Sequence, residues 1–342
     1  MLLYSIALDD PTLTGWYEGV HRRLWWQGAH TLLVESAQND QFGVHSLTDS
    51  AQDADIIVFA EMGGHGMFAE AARHHPYVRQ YREKCFLFDS GDYALPFLPG
   101  LYASLRRRYL DPTRTRTGYY LNVDANPFVH PRPLDENPRY MGCFVGSLEN
   151  HPVRLALAKL VCKRLLIEDA SSYALTMLSA GEDHERNTFW SHYAEAMAAS
   201  AFSLCPRGRG PGSIRLFESM CMGRCPVILS DEWVYPERVA WPDCSIHVAE
   251  KDVAKLPEIL EKNQDRAGTM GARARKEWEK FYAPNVRFHW LVEDCMQMMK
   301  MRRRSEAVAG QLVWLHLLKY DNFRRYLTSK RQFYLRYGRI VL

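Results

Sequence analysis

The stretch Ala201–Asp231 reads AFSLCPRGRGPGSIRLFESMCMGRCPVILSD, and the rest of the chain can be placed around it. Its first five residues and the run CPVIL at Cys225–Leu229 are short and apolar, which is typical of buried strands. Ser213 and Gly223 are residue types that begin and end helices, so we expect a helix between the strands. A loop with three glycines precedes this helix, namely Gly208, Gly210 and Gly212. Strand, loop, helix and strand in about thirty residues have the length of a βαβ unit.

The loop of this unit is a candidate phosphate site. In open parallel sheets, ligands bind beyond the carboxyl ends of the strands, and a helix N-terminus presents amide groups to an anion. Arg207, Arg209 and Arg215 add guanidinium groups, which suit phosphate oxygens. Glu218 follows Arg215 on the same helical face, and its carboxylate suits the hydroxyls of a ribose. We therefore expect the loop glycines, Ser213 and these charged side chains to bind a nucleotide diphosphate.

Three overlapping segments carry a resemblance to a known family. CPRGRGPGSIRLFES followed by GRCPVILSDEWVYP, with SHYAEAMAASAFSLCPRG leading into them, resembles the nucleotide-sugar signature of the exostosin-like glycosyltransferases of family 47. The likeness is specific over Tyr193–Pro236. It implies an α/β chain with the GT-B fold, which consists of two facing Rossmann-like domains. It also implies sugar transfer from a nucleotide-sugar donor to a glycan or glycolipid acceptor.

The same resemblance implies details of the reaction. The family expectation is a UDP-sugar donor and an inverting mechanism, which needs one general base at the acceptor. No metal or other cofactor is expected, because arginines and a helix N-terminus take the place of a divalent ion.

Length and composition favour a two-domain globular protein. The chain has 342 residues, of which 47% are apolar and 24% charged, and this excludes wholesale disorder. Prolines crowd the stretch Pro127–Pro138, which is typical of an interdomain connection. We expect an acceptor-side Rossmann-like domain over residues 1–135, a nucleotide-sugar-binding domain over 136–283 and a basic helical tail over 284–342.

Apolar runs and helix signals predict alternating strands and helices. In the first domain they predict strands at Leu2–Leu8, Thr31–Val34, Asp55–Ala60, Lys84–Asp89 and Thr115–Leu121, with a helix at Gly15–Gln27. In the second they predict strands at Met141–Val145, Tyr173–Leu178 and Cys244–Ala249, with helices from about His151 and at Asn187–Ala198, Val253–Lys262 and Asp265–Phe281.

Four side chains that follow predicted strands of the first domain are candidates for the general base. In order of preference they are Asp92, Asp89, Glu61 and His65. Each follows a strand, so each points towards the expected cleft, but each is also the kind of residue that occupies a turn at a strand end. The pattern Asp53-Ala54-Asp55 precedes its strand instead, which favours solvated turn carboxylates over a metal site.

Arg154 is a further candidate for the donor's diphosphate. The segment FVGSLENHPVR resembles the strand, glycine turn and arginine that begin the family's second domain. Asn150 is the predicted cap of the helix that carries Arg154, and Pro152 is tolerated in its first turn. A plain surface arginine is the alternative interpretation.

The C-terminal tail leaves more than one interpretation open. From Lys300 onwards it carries eleven Lys or Arg against Glu306 and Asp321, together with several aromatic residues. It is expected to be helical, and it can brace the first domain, lie on an anionic membrane or bind nucleic acid. Bracing is preferred, peripheral membrane contact stays open, and nucleic acid is not expected as a partner because the charge is confined to one end.

The expected location is the cytoplasm, with a peripheral position at the inner face of the membrane as an option. The opening MLLYSIALDD is typical of a first strand and not of a signal peptide, and no segment has the apolar length of a membrane span. Eight cysteines without a Cys-x-x-Cys pair favour reduced, buried thiols. A non-catalytic protein that binds nucleotide sugars or glycans is the alternative function.

Overall fold

Two parallel β-sheets with helices packed on them form the protein. The structure is a computed structural model. It describes residues 1–7, 29–61, 69–93, 95–121, 125–172 and 183–337. The predicted helix Gly15–Gln27 and the predicted strand Tyr173–Leu178 lie outside these residues. All described strand pairs in both sheets are parallel, so the predicted α/β class is confirmed.

The first sheet has six described strands in the order β2-β1-β3-β4-β5-β6. They are β1 Leu2–Ala7, β2 Ser46–Leu47, β3 Ile56–Glu61, β4 Cys85–Asp89, β5 Gly100–Tyr102 and β6 Thr115–Thr117. The central strands β3 and β4 consist of short apolar runs that are buried on both faces. Gly100 begins β5, where a Cβ atom would lie 1.9 Å from the carbonyl oxygen of Leu87, so a side chain at this position would separate the strands.

Three helices of the first domain are described, α1 Ala29–Gln38, α2 Glu70–His74 and α3 Pro76–Gln80. The predicted strand Thr31–Val34 is therefore wrong, because it lies within α1. A short apolar run fits either structure, and here Leu32, Leu33 and Ser36 form one buried helical face.

The second sheet has five described strands in the order β11-β10-β9-β7-β8. They are β7 Tyr140–Gly146, β8 Leu165–Asp169, β9 Ser200–Pro206, β10 Cys225–Leu229 and β11 Ile246–His247. All seven residues of the central strand β9 are buried. The strand β8 was not predicted, and only two residues of the predicted strand Cys244–Ala249 pair as a strand.

Six helices accompany this sheet. They are α4 Pro152–Ala158, α5 Asp183–Ala198, α6 Ile214–Met222, α7 Trp241–Cys244, α8 Leu256–Lys262 and α9 Ala267–Phe281. The βαβ unit predicted from Ala201–Asp231 is confirmed as β9, α6 and β10. The cap of α4 is His151 and not Asn150, since the residue before a proline is held extended and the His151 ring accepts from the Val153 amide.

The tail is helical, as predicted, with α10 Arg287–Met301, α11 Glu306–Leu312 and α12 Tyr320–Tyr337. Its described part packs on the first domain. The Phe288 amide donates to Ser36 Oγ on α1, and the buried Arg114 and Glu306 form an ion pair at 3.0 Å. Trp314 packs edge-on against Phe97. Through these contacts the described part of the tail lies against the first domain, as the bracing interpretation expects. No described helix has the length and apolar character to cross a bilayer.

The two sheets face each other across their carboxyl ends. The indole of Trp233 donates to the carbonyl oxygen of Ala103 at 3.1 Å, and the Arg107 amide donates to the carbonyl oxygen of Glu232 at 3.0 Å. Two Rossmann-like sheets in this arrangement have the GT-B architecture that the sequence predicts. The strands of the two sheets fall on either side of the predicted boundary at residue 135, while the exact bounds of the domains stay a prediction.

Candidate active site

The glycine loop lies in the cleft between the domains, where β9 ends and α6 begins. Ser213 is the N-cap of α6, with an extended backbone and no hydrogen bond from its side chain to the helix. The first amides of α6 therefore lack the usual side-chain cap, and the positive end of the helix faces the loop. Gly223 ends the helix in the left-handed conformation, with φ 83°.

Two loop glycines are required by the opposite domain. A Cβ atom on Gly210 would lie 2.5 Å from Ser104 Oγ, and one on Gly212 would lie 2.5 Å from the carbonyl oxygen of Ala103. Side chains at these positions would push the domains apart. The sequence predicts that these glycines bind phosphate. The structure adds that they allow close contact between the domains. A Cβ atom on Gly208 would instead lie against its own domain, 3.2 Å from Arg154 Nη2.

Arg154 ties the loops after β7 and β9 together. Its guanidinium donates to the carbonyl oxygens of Arg207 at 2.8 Å, Ser147 at 2.9 Å and Pro206 at 3.3 Å. The side chain is half-buried beside the glycine loop, so the surface interpretation does not describe it. Burial, and then the positive charge of Arg215, lower its pKa to about 10.

Arg215 lies beneath the same end of β7. Its guanidinium donates to the carbonyl oxygen of Val145 and sits 4.3 Å from the ring of Phe144 and 5.2 Å from that of Tyr193. Burial would lower its pKa, but Tyr193, Cys205 and Glu218 raise it overall, so the group stays charged.

Arg154 and Arg215 together leave positive charge in the cleft. Among the described residues, neither forms a direct salt bridge with a carboxylate, although the charge of Glu218 acts on Arg215 and that of Asp92 on Arg154. Their hydrogen bonds go to backbone carbonyls, which carry no net charge. Two neighbouring cations beside a helix N-terminus favour an anion in the cleft.

Glu218 is 8% exposed on α6. Its carboxylate accepts a hydrogen bond of 2.5 Å from the hydroxyl of Tyr193 on α5, and burial raises its pKa despite the opposing effects of that bond and Arg215. The structure therefore places Glu218 beside Arg215, as the shared helical face predicts. Its contact with a ribose stays a prediction.

Arg207 and Arg209, the other predicted donor-binding arginines, differ in their surroundings. Arg207 is buried, and its Nη1 lies 3.1 Å from Glu232 and 3.5 Å from Glu250. Its charge is thus compensated, and Arg106 joins the same cluster at 3.5 Å from Glu232. Arg209 is exposed at the tip of the loop.

Asp92 is the candidate base that the structure brings to the glycine loop. Its main chain lies against the glycine loop, where a Cβ atom built on Gly210 would come within 2.9 Å of the Asp92 Cα atom, while part of the residue stays exposed. Desolvation in the cleft raises its pKa, although Gly210, Arg209, Arg154 and Arg106 act in the opposite direction. A carboxylate with a raised pKa at the rim of a cleft is suited to proton transfer.

The other three candidates differ from Asp92. Asp89 is 4% exposed, and its Oδ1 accepts from the Gly91 amide at 2.6 Å, which is a turn contact at the end of β4. Glu61 ends β3 and pairs in register with Asp89, while His65 lies outside the described residues. Asp55 accepts from the Leu2 amide at the amino end of the sheet, in line with a turn role for the Asp-x-Asp pattern.

Sequence reasoning missed three residues that shape the cleft, Tyr120, Ser104 and Trp233. The Tyr120 hydroxyl lies 2.8 Å from a Cβ atom built on Gly212, and the Ser104 Oγ lies 3.1 Å from the same position. Trp233 is almost fully buried between the domains. Its indole N–H needs a partner when buried, and this was the one signal in the sequence that could have predicted its role.

Residues 122–263 match the model of the Exostosin GT47 domain. We call this segment the exostosin-like domain, because it is similar to the domains of glycosyltransferase family 47. It contains the whole described second sheet and the glycine loop, so the resemblance over Tyr193–Pro236 is confirmed.

Several proteins are similar to the exostosin-like domain. "Probable glucuronoxylan glucuronosyltransferase IRX7" of Arabidopsis thaliana is 34% identical over 155 residues, which are 41% of this chain and 33% of that protein. "Exostosin-1 homolog" of Caenorhabditis elegans is 41% identical over 80 residues, 23% of this chain and 21% of that protein. The chain thus spans about a third or less of the length of these relatives. Among solved structures, MurG of Acinetobacter baumannii superposes with a TM-score of 0.33 and 10% identity, covering 80% of this chain and 94% of that one.

Proposed function

We propose that the protein transfers a sugar from a nucleotide-sugar donor, a UDP-sugar, to a glycan or glycolipid acceptor, with inversion and without a metal ion. The observation that carries this proposal is the pair Arg154 and Arg215, which donate to backbone carbonyls, form no direct salt bridge among the described residues and lie beside the N-terminus of α6. The exostosin-like domain that contains them belongs to a glycosyltransferase family.

The leaving group is the first chemical requirement of this reaction. As the bond to the anomeric carbon breaks, negative charge builds up on the nucleotide diphosphate. Two guanidinium groups and the helix amides, already oriented by their own hydrogen bonds, stabilise that charge without reorganisation. We propose that they fulfil the role that a divalent ion fulfils in metal-dependent enzymes. Turnover should then be unchanged by a chelator.

The acceptor hydroxyl is the second requirement, since it must lose its proton as it attacks. Asp92 lies across the cleft from the arginines, beside the Gly210 amide, and its raised pKa makes the carboxylate a better proton acceptor than an ordinary aspartate. We propose Asp92 as the general base. One base opposite the leaving group is what an inverting displacement needs.

A thermal-shift panel of UDP-, GDP- and CMP-sugars tests donor binding. UDP-glucuronic acid and UDP-xylose come first, because similar proteins are named for glucuronosyl and xylosyl transfer. A ligand at about 100 times its dissociation constant stabilises the folded state by about 2.7 kcal/mol, so a bound donor raises the melting temperature clearly. If none of the three nucleotide classes shifts the unfolding transition, the proposed donor site is wrong.

Two variants make the panel specific. Arg154→Ala removes a cation from the cleft and should abolish most of the donor-induced shift. Arg139→Ala is the control. It removes an exposed arginine just before β7, at the end of this strand that is away from the glycine loop, and should keep the full shift. A donor that binds but is neither transferred nor hydrolysed would indicate the non-catalytic alternative.

We also propose that the protein acts in the cytoplasm and can touch the inner face of the membrane through its tail. Trp314 and Tyr326 pack against other aromatic rings, so membrane contact would fall to the exposed Phe323 and Tyr334 on α12. We expect the protein to be retained on vesicles rich in anionic lipid. Replacement of these two aromatic residues should abolish the retention.

A further inference from the structure

Two histidines and a glutamate converge at the junction of the tail and the first domain. One ligand atom from each of His45, His289 and Glu293 lies within 4.8 Å of the others. His45 immediately precedes β2, whose first residue, Ser46, pairs with Leu2 at the start of β1. The cluster is therefore at the amino end of the first sheet, while the donor cleft is at the carboxyl ends.

The fold orients each of these side chains. His289 and Glu293 are one turn apart on α10, so both project from the same face of that helix. His45 comes from the other side of the junction, and its side chain is only 2% exposed. Its Nε2 lies 3.0 Å from Glu293 Oε1, while its Nδ1 lies 3.3 Å from the amino group of Met1. Nε2 is thus the ring nitrogen that faces the cluster.

The ring of His289 is held in place but incompletely bonded. Its ring centroid lies 4.1 Å from that of Phe42 and 5.0 Å from that of His45, so both neighbours hold the ring in place. Its Nδ1 is buried and has no hydrogen-bond partner among the residues that the structure describes. A buried polar atom without a partner is unfavourable, and such an atom calls for an explanation such as a bound ion.

We propose that His45, His289 and Glu293 bind one divalent transition-metal ion of the zinc type. Two imidazole nitrogens and one carboxylate oxygen are a donor set that zinc accepts, with water as the fourth ligand. The ion would join residues 248 positions apart in the chain, and so fasten α10 to the edge of the first sheet. Its role is structural, because the site is remote from the donor cleft.

Zinc titration of the chelator-treated full-length protein tests this proposal. The wild type should bind one equivalent of Zn²⁺ and melt at a higher temperature with the ion than without it. His289→Ala and Glu293→Gln should each weaken zinc binding by at least about tenfold, as the loss of groups that hold a metal does. Glu293→Gln keeps the size of the side chain and a hydrogen-bonding oxygen, so this variant should fold even if His289→Ala does not.

Two control variants separate this site from adventitious binding. Gln297→Ala changes an exposed residue one turn further along α10, and His184→Ala removes an exposed histidine elsewhere. Both should bind zinc with wild-type affinity. If the wild type binds no Zn²⁺ at micromolar concentration, or if Glu293→Gln binds it as tightly as the wild type, the cluster is a hydrogen-bonded group and the proposal is wrong. The zinc titration and the melting measurement use no sugar donor, so their outcome is independent of the proposed donor site.

Discussion

The carboxyl edges of the two sheets face each other but carry opposite charge. The second sheet brings Arg154 and Arg215 to the cleft without carboxylate partners among the described residues. The first sheet brings Asp89 and Asp92, together with the hydroxyls of neighbouring residues. In the function that we propose, this difference divides the two halves of the transfer reaction between the domains. One edge is suited to a departing diphosphate, and the other to an acceptor that loses a proton.

A second contrast lies within the cationic edge itself. Arg207 is as buried as Arg215, yet it pairs with Glu232 and Glu250. Its direct ion pairs join loops, whereas Arg215 forms no direct ion pair and has Glu218 as its neighbouring carboxylate. Arginines that follow the same strand in sequence can thus differ in role, and the difference comes from the carboxylates that surround them.

The largest expected effect is at the acidic edge. Asp92→Asn removes the proposed base and should lower kcat by about 10²- to 10⁴-fold, in the range measured for general bases. Asp89→Asn keeps an oxygen for the Gly91 amide and should change kcat little. Steady-state kinetics of the two purified variants make the comparison. If changes at Asp92, Asp89, Glu61 and His65 all leave the rate within about threefold of wild type, the base lies elsewhere.

The next effect is at the cationic edge. Arg215→Lys keeps the charge but loses the planar group that donates to Val145 and stacks on Phe144, so kcat should fall at least about tenfold. Arg207→Lys keeps its ion pairs with Glu232 and Glu250 and should lower kcat much less. Circular dichroism confirms that both variants are folded. Equal losses in the two variants would contradict the distinction between compensated and uncompensated arginines.

The smallest expected effect is a displaced pH profile. A base acts only when deprotonated, so kcat/KM should fall as the pH falls through the pKa of Asp92. Desolvation raises this pKa, so the acid limb should lie above the ordinary aspartate value of about 3.9. Rates measured from acid to neutral pH locate the limb. It should persist in Asp89→Asn, and any residual activity of Asp92→Asn should lack it.

Local sequence predicted the elements whose apolar runs are bounded by clear signals. The strands β3, β4, β7, β9 and β10 and the helices α5, α6 and α9 were predicted close to their observed bounds. The prediction of a strand at Thr31–Val34 failed because a four-residue segment with three apolar residues does not distinguish a strand from a buried helix. β5 was missed because the three residues Gly100–Tyr102 are too few to show an apolar run, and β8 because Leu165–Asp169 ends in two acidic residues.

The sequence by itself determined the βαβ unit, its glycine loop and the resemblance to the exostosin-like domain, because these depend on residues close together in the chain. Only the tertiary structure decided which charges are compensated, since the carboxylates that pair with Arg207 come from loops beyond β10 and β11. It also decided that Gly210 and Gly212 touch the opposite domain, and that His45 meets His289 and Glu293. Contacts between distant segments depend on how the domains and the tail pack, and no local pattern encodes that packing.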